Sequence, residues 1–234
     1  MQKGYLMTSK ILEVNFEDPI VSLATIANTC YSTLSLDDNK EKFTHNREKA
    51  KKLVKNLIKS GHHSVLEHVT LTIEFTGSRA FTHQLVRHRL ASYTQRSQRY
   101  CDEKNFNNYI PQSILKNEKA LEIFNSLLSN IESVYTDLQK LGISNEDARY
   151  ILPNSCMSTI ICTVNLRELL HMFQERLCYR AQDEIRDAFE EVLKEFKLKQ
   201  VELYEILLPY IGPSCIKGPC REEKPCGKGP RVFE

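Results

Sequence analysis

From His68 to Gly77 the chain reads HVTLTIEFTG, with Val69, Leu71, Ile73 and Phe75 alternating against Thr70, Thr72, Glu74 and Thr76. Side chains of a strand point to opposite faces in turn, so this run predicts a half-buried strand. STIICTVN, 158–165, is β-branched and predicts a buried strand, and KILEVNF, 10–16, a short one. The remaining periodic stretches have helical spacing. Asp18 caps a helix with Pro19 at its first position, running to about Tyr31. Residues 44–60 predict an amphipathic helix with Ala50, Leu53, Val54, Leu57 and Ile58 on one stripe, a solvated lysine face and Gly61 as stop. Further helices are predicted over 79–89, with Phe81 and Leu85 inward, over 117–141 ending at Gly142, and over 144–150. Asn165 and Glu168 form a capping box for a helix to about Gln182, and another helix spans Asp183 to about Leu208. There is no internal repeat and no Rossmann or P-loop glycine pattern. Helices with a few separated strands imply an α+β fold rather than alternating βαβ units.

With 234 residues, 41% of them hydrophobic, the chain can bury one sizeable core. A net charge of +2 describes an ordinary soluble protein, and the longest apolar run, Ile160–Val164, is too short to span a bilayer. The N-terminal stretch lacks a signal-peptide core, so a cytoplasmic location with no membrane partner is expected. Cys30, Cys101, Cys156, Cys162 and Cys178 lie in apolar or helical contexts and read as small buried hydrophobes. Residues 212–230 hold four of the eight Gly, four of the eight Pro and three of the eight Cys. That composition divides the chain into a body, 1–211, and a tail, 212–234, extended or clipped by metal. Cys215, Cys220 and Cys226, at spacings of five and six, fall short of a four-ligand zinc set unless a further His or Cys joins them, so no metal is expected.

Charge is distributed unevenly by type. Lys outnumbers Arg nineteen to thirteen, yet between Phe75 and Cys101 there are five Arg (Arg79, Arg87, Arg89, Arg96, Arg99) and no Lys, Asp or Glu. A second Lys-free block, 142–192, carries Arg149, Arg167, Arg176, Arg180 and Arg186. Arginine grips oxyanions through a planar fork that lysine cannot copy, so two such blocks suit a site holding several phosphates. Against that, Arg180 can pair with Glu184 and Arg186 with Glu190 as helix ion pairs, and Arg149 with Asp147 or a distant acid. Arg176 and Arg180, four apart, would share a helix face. Arg87, Arg89, Arg96 and Arg99 all lie inside the window that holds no acid, which points to a ligand.

GHHSVLEH, 61–68, lacks both zincin spacings, so one of His62 and His63 is read as lining a pocket. Ser97 with His88 as base could be a nucleophile, but without a Gly-x-Ser-x-Gly elbow Ser97 reads better as a phosphate ligand. An RNA-binding surface using Tyr93, Tyr100 and Tyr109 is the main rival; a net charge of +2 and cations interleaved with short polar side chains argue against nucleic acid.

These segments resemble the flavin-dependent thymidylate synthases. Arg87-His88-Arg89, seven residues, then Ser97 is similar to that family's signature, which QLVRHRLASYTQRSQRY follows nearly throughout. GHHSVLEH, ARYILP and TVNLRELLHMFQERLCYRAQDEIR are similar to further family segments in the same order, so the resemblance covers about residues 10–208. It implies a single-domain α+β fold with a central, largely antiparallel sheet, and a homotetramer with active sites at subunit interfaces. The implied reaction converts dUMP to dTMP with FAD as cofactor and with 5,10-methylenetetrahydrofolate and NADPH as co-substrates, the folate binding as a partner. Carried residue by residue, Ser64 (from a neighbouring subunit), Arg87, His88, Arg89, Gln95, Asn165, Arg167 and His171 would bind FAD. Gln84, Arg87, Gln95, Arg96, Ser97, Gln98, Arg99, Arg149 and Arg176 would bind dUMP. Arg176, Ser97 and His62 are the implied catalytic residues, Arg176 polarising the uracil and His62 near the folate and flavin. Gln95 stands where many members have Glu, His171 where others have Asn, and Arg180 where some have His.

Overall fold

The alternating run forms its strand as its pattern dictates. In the computed structural model, which describes residues 6–229 and Phe233, β1 (Thr8–Val14), β2 (Thr70–Ser78), β3 (Ala91–Gln95) and β4 (Met157–Asn165) make one sheet. Its order is β1-β2-β4-β3 and every pairing is antiparallel. Leu71, Ile73 and Phe75 are buried while the threonines between them stay partly exposed. On that second face Thr72 meets Thr163 at 3.1 Å and Thr76 meets Thr159 at 3.0 Å, hydroxyl to hydroxyl. β4 alternates in the same way, with Ile160, Cys162 and Val164 inward, so it is half-buried rather than buried on both faces. β3 is too short for its alternation, Ala91 and Tyr93 inward against exposed Ser92 and Thr94, to mark a strand by itself, and it is a strand because β4 supplies the partner.

The helices are α1 (Pro19–Asn28), α2 (Leu36–His45), α3 (Arg47–Lys59), α4 (Arg79–Leu85) and α5 (Gln112–Leu115), then α6 (Glu118–Lys140), α7 (Asn145–Ala148), α8 (Leu166–Arg176), α9 (Asp183–Lys199) and α10 (Val201–Leu207). Asp18 accepts the Val21 N–H at 3.1 Å with Pro19 behind it, as the cap signal requires. Three expectations are corrected. The helix placed over 44–60 begins at Arg47 because Asn46 caps it, and α2 precedes it. α4 stops at Leu85 and α8 at Arg176, each shorter than its periodicity suggested, so Arg176 and Arg180 share no helix. The last long helix divides at Gln200 into α9 and α10.

α9 packs against β1 and β2, and the core is threaded by rings: Phe75–Phe81 at 5.6 Å, Phe75–Phe189 at 5.8 Å and Phe173–Phe189 at 6.1 Å between centroids. Beside them the buried Glu184 carboxylate accepts from Ser78 N–H and Ser78 O–H, both at 2.6 Å. Glu184 therefore pins the β2–α4 junction and does not pair with Arg180. Packing continues past the compositional boundary, since Gly212 and Pro213 are buried, and Phe233 lies against the core. Among the described residues no helix is long and apolar enough to cross a membrane.

Candidate active site

Two chain reversals meet at one end of the sheet. After α4 the chain turns over residues 86–90 into β3, and the Tyr93 hydroxyl lies 2.9 Å from the Leu85 carbonyl and 2.8 Å from the His88 carbonyl, holding the turn. That turn sends His88 inward; only 4% of it is exposed. Opposite, β4 runs straight into α8 through Asn165, whose Oδ1 accepts the Glu168 N–H at 2.9 Å. The cap fixes how α8 is rotated, and Glu168, His171 and Glu175, spaced three and four apart, line its face toward His88.

His88 is the hub. Arg176 Nε donates to its Nε2 at 2.9 Å, and its Nδ1 lies 3.5 Å from Glu168 Oε1. A guanidinium can only donate, so Nε2 must be the bare nitrogen and the imidazole proton sits on Nδ1, facing Glu168. Burial, and then the charge of Arg176, lower the His88 pKa to about 4, which keeps the ring neutral. Burial also raises the Glu168 carboxyl above its ordinary range. Arg176 is held a second time by the Gln84 carbonyl at 3.4 Å, with Glu175 at 3.7 Å. A mostly buried arginine is thus fixed by one neutral acceptor, one carbonyl and one peripheral carboxylate. Its charge is only partly cancelled. The donor atoms of His88, His171 and Glu175 lie within 4.8 Å of one another, a spacing that a metal could use. The His88 nitrogen on that side already accepts from a permanent cation, which opposes a second one.

Beside this hub opens a cavity of about 520 Å³ lined by His63, Glu67, Asn165, Arg167, His171 and Tyr210, among others. Of the expected flavin-binding residues it gathers Asn165, Arg167 and His171, with His88 just behind. Arg167 Nη1 is paired with Glu67 Oε1 at 2.5 Å. His63, not His62, borders the cavity; His62 and Ser64 are exposed on the 3-10 turn His63–His68 and its approach. Arg87 and Arg89 are exposed, and among the described residues neither has a carboxylate partner.

The other expected residues lie elsewhere. Ala91 pairs with Val164 and Gln95 with Ile160, so Arg96–Arg99 emerge at the far end of β3, about 13 Å from its start at ~3.3 Å per residue. There Arg96 Nε donates to the buried Glu103 at 3.0 Å, Arg99 Nε meets Glu146 at 2.9 Å, and Arg149 Nε donates to the Glu146 carbonyl at 3.1 Å. Both acids lie beyond the acid-free window, Glu103 just past its end and Glu146 brought in by the fold. Ser97 Oγ accepts the Arg99 N–H at 3.2 Å, and Gln98 Nε2 lies 3.5 Å from Cys156 Sγ. Gln95 is turned inward and donates to Thr82 Oγ1 at 3.1 Å and to Ser158 Oγ at 3.3 Å. The Gln84 side chain donates to the Ala80 carbonyl and to the Gln182 side chain. One chain therefore brings Gln84, His88, Asn165, Arg167, His171 and Arg176 together, and holds Arg96, Ser97, Gln98, Arg99 and Arg149 as a second group. Glu168 and Glu175 were missed as site residues; their signal was the i, i+3, i+7 stripe through His171.

The thymidylate synthase complementing protein family matches residues 11–200. A flavin-dependent thymidylate synthase from Geobacter sulfurreducens is 39% identical over 219 residues, 92% of each chain. One from Pyrococcus abyssi is 44% identical over 186 residues, 76% of each chain. Among solved structures, that of a UMP/dUMP methylase, PolB, from Streptomyces cacaoi bound with 5-Br dUMP aligns with a TM-score of 0.74 at 19% identity, covering 88% of this chain and 96% of that one, which supports the fold. With the match running from β1 into the end of α9, the chain belongs to the flavin-dependent thymidylate synthase family.

Proposed function

We propose that this chain methylates dUMP to dTMP, with 5,10-methylenetetrahydrofolate as carbon donor, NADPH as reductant and FAD as bound cofactor. Family membership supports the reaction, and Arg176 is the observation that carries it to particular atoms. A guanidinium locked by His88 Nε2 and the Gln84 carbonyl is preorganised to stabilise negative charge developing on a pyrimidine ring, without reorganising at the moment of reaction. FAD, once bound, supplies two-electron redox chemistry. The donor set fits it: a cavity of about 520 Å³ bordered by an amide, an imidazole and a guanidinium, with the unpaired Arg87 and Arg89 close by in sequence to His88 for its phosphates. His88 and Glu168 act behind Arg176, orienting it and keeping water from the hub.

The second group bears on assembly. Arg96, Ser97, Arg99 and Arg149 suit a nucleotide phosphate, and Arg96, Ser97 and Arg99 follow the end of β3 opposite the turn that carries His88. In a homotetramer carrying its sites at subunit junctions, the two groups facing one mononucleotide come from different subunits. α6 supports this: of its 23 residues only Leu128 and Tyr135 are fully buried, and Ile123, Leu127 and Val134 are exposed.

The test is tritium release from 5-tritiated dUMP by the purified chain, with each of the folate, NADPH and FAD left out in turn. Release that needs the folate and NADPH, from a protein with a flavin absorption band, and that is lost when the flavin is stripped and restored by added FAD, is expected. A colourless protein that binds RNA and releases no tritium would overturn the reading.

A further inference from the structure

The cysteine-rich tail folds back on the segment that follows α8. Arg180 Nη1 donates to the Lys224 carbonyl, Arg180 Nε lies 3.3 Å from Glu222 Oε2, and Lys228 Nζ sits 4.6 Å from the centre of the Tyr179 ring. Those contacts fasten residues 222–228 to residues 179–180, so Cys226 is carried past Cys178. A second cavity, about 470 Å³, is walled by Cys178, Cys215 and Cys220 together with Arg180 and Arg221. Three cysteines of the tail lacked a fourth ligand; the fold supplies Cys178 from the body of the protein.

We propose that Cys178, Cys215, Cys220 and Cys226 bind one Zn²⁺ as a four-thiolate site that clips the tail to the end of α8. Four thiolates are the closed, tetrahedral donor set of structural zinc. Binding exchanges four thiol protons for one Zn²⁺, releasing them to solvent and leaving a net charge of −2 on the centre. Arg180 and Arg221 on the cavity wall offset that charge. All eight cysteines are free, so no disulfide competes for these sulfurs. Among the described residues no three of the thiols lie within 4.8 Å of one another, so coordination draws the loop inward. The loop is built for it: Gly218 and Pro219 separate Cys215 from Cys220, and Gly227, directly after Cys226, has φ +72°. Zinc sites commonly draw this closure from binding free energy.

The experiment is metal analysis of the full-length chain, expressed in zinc-replete medium, washed with EDTA and independent of any dUMP assay. About one zinc per chain is expected. Replacing it with cobalt should give the visible and thiolate charge-transfer bands of a tetrahedral sulfur site. Cys178→Ser should lose the metal while Cys101→Ser keeps it, and Cys226→Ser serves in the same way if Cys178→Ser does not fold. Zinc-free wild-type protein, zinc at wild-type levels in the folded Cys178→Ser or Cys226→Ser variant, or a denatured thiol count below eight would each overturn the proposal.

Discussion

His88 makes a pH dependence that can be worked through. Its pKa falls from 6.5 in the unfolded chain to about 4 in the folded one, because the ring is buried and Arg176 stands against Nε2. A depressed histidine contributes stability that is complete above the unfolded pKa and is lost as pH falls toward the folded pKa. At pH 5 the unfolded chain binds nearly one more proton at this site, and linkage gives a loss of about 2 kcal/mol relative to neutral pH, rising toward ~3 kcal/mol below pH 4. The other charged groups facing the ring are Glu168, Glu175 and His171. Glu168, like Glu103 and Glu184, has a raised pKa and so acts in the opposite direction, which masks part of the effect in the wild type alone. The comparison with His88→Gln isolates it, since Gln can accept from Arg176 and does not titrate. Urea unfolding at pH 7 and pH 5, at one protein concentration, should show the wild type losing about 2 kcal/mol more than the variant. Equal losses in the two proteins would mean that His88 takes up its proton as readily in the folded chain as in the unfolded one, and the tautomer argument would fall with it.

Arg176→Ala should lower kcat by about 10²-fold or more with a smaller change in KM, because its charge is aimed at the transition state; steady-state kinetics decide this. Asn165 Oδ1 accepts the α8 cap bond, which points its amide N–H₂, a donor that Asp lacks, to a ligand. Asn165→Asp should keep the melting temperature and weaken flavin binding, whereas Asn165→Ala should lose both, at about 1 kcal/mol of stability. Glu184→Ala leaves Ser78 N–H and O–H without their buried acceptor and should cost roughly 2–4 kcal/mol by denaturant unfolding. At Gly77 an added methyl would stand 2.7 Å from Phe81 Cδ1 in the aromatic core, so Gly77→Ala should destabilise by about 1–3 kcal/mol in the same assay.

The legible parts of this chain are those where local chemistry and tertiary context agree. Asp18-Pro19, Asn165 and the Val69–Phe75 alternation each specify a cap or a face within a few residues and form as written, except that the Glu168 carboxylate turns to His88 and leaves the capping box half made. β3 could not be read that way, because ASYTQ becomes a strand only through the hydrogen bonds that β4 offers. The early ends of α4 and α8 were hidden for a related reason. Their apolar spacing continues, but Tyr93 holds the first chain in a turn and Arg176 is drawn to His88 at the second. Among the arginines, Arg87 and Arg89 have no carboxylate partner among the described residues, whereas Arg96 and Arg99 are paired by the fold. Glu103 and Glu146 reach those two from seven and forty-seven residues away, and separation in sequence carries no information about such pairs.

One junction ties fold to chemistry. β4 is the central partner of both β2 and β3, and it ends at Asn165, where the strand stops and the helix cap begins in the same residue. Because the cap fixes the rotation of α8 relative to the sheet, it also fixes where Glu168, His171 and Glu175 point, and through His88 where Arg176 is held. A rotation of one residue, 100° on a helix, would turn that stripe away from His88 and leave a buried imidazole without the partners on either nitrogen. The same hydrogen bond that starts α8 is therefore a condition for the orientation of the guanidinium at its end, eleven residues on, and a change at the cap is expected to be felt in turnover before it is felt in the overall shape of the molecule.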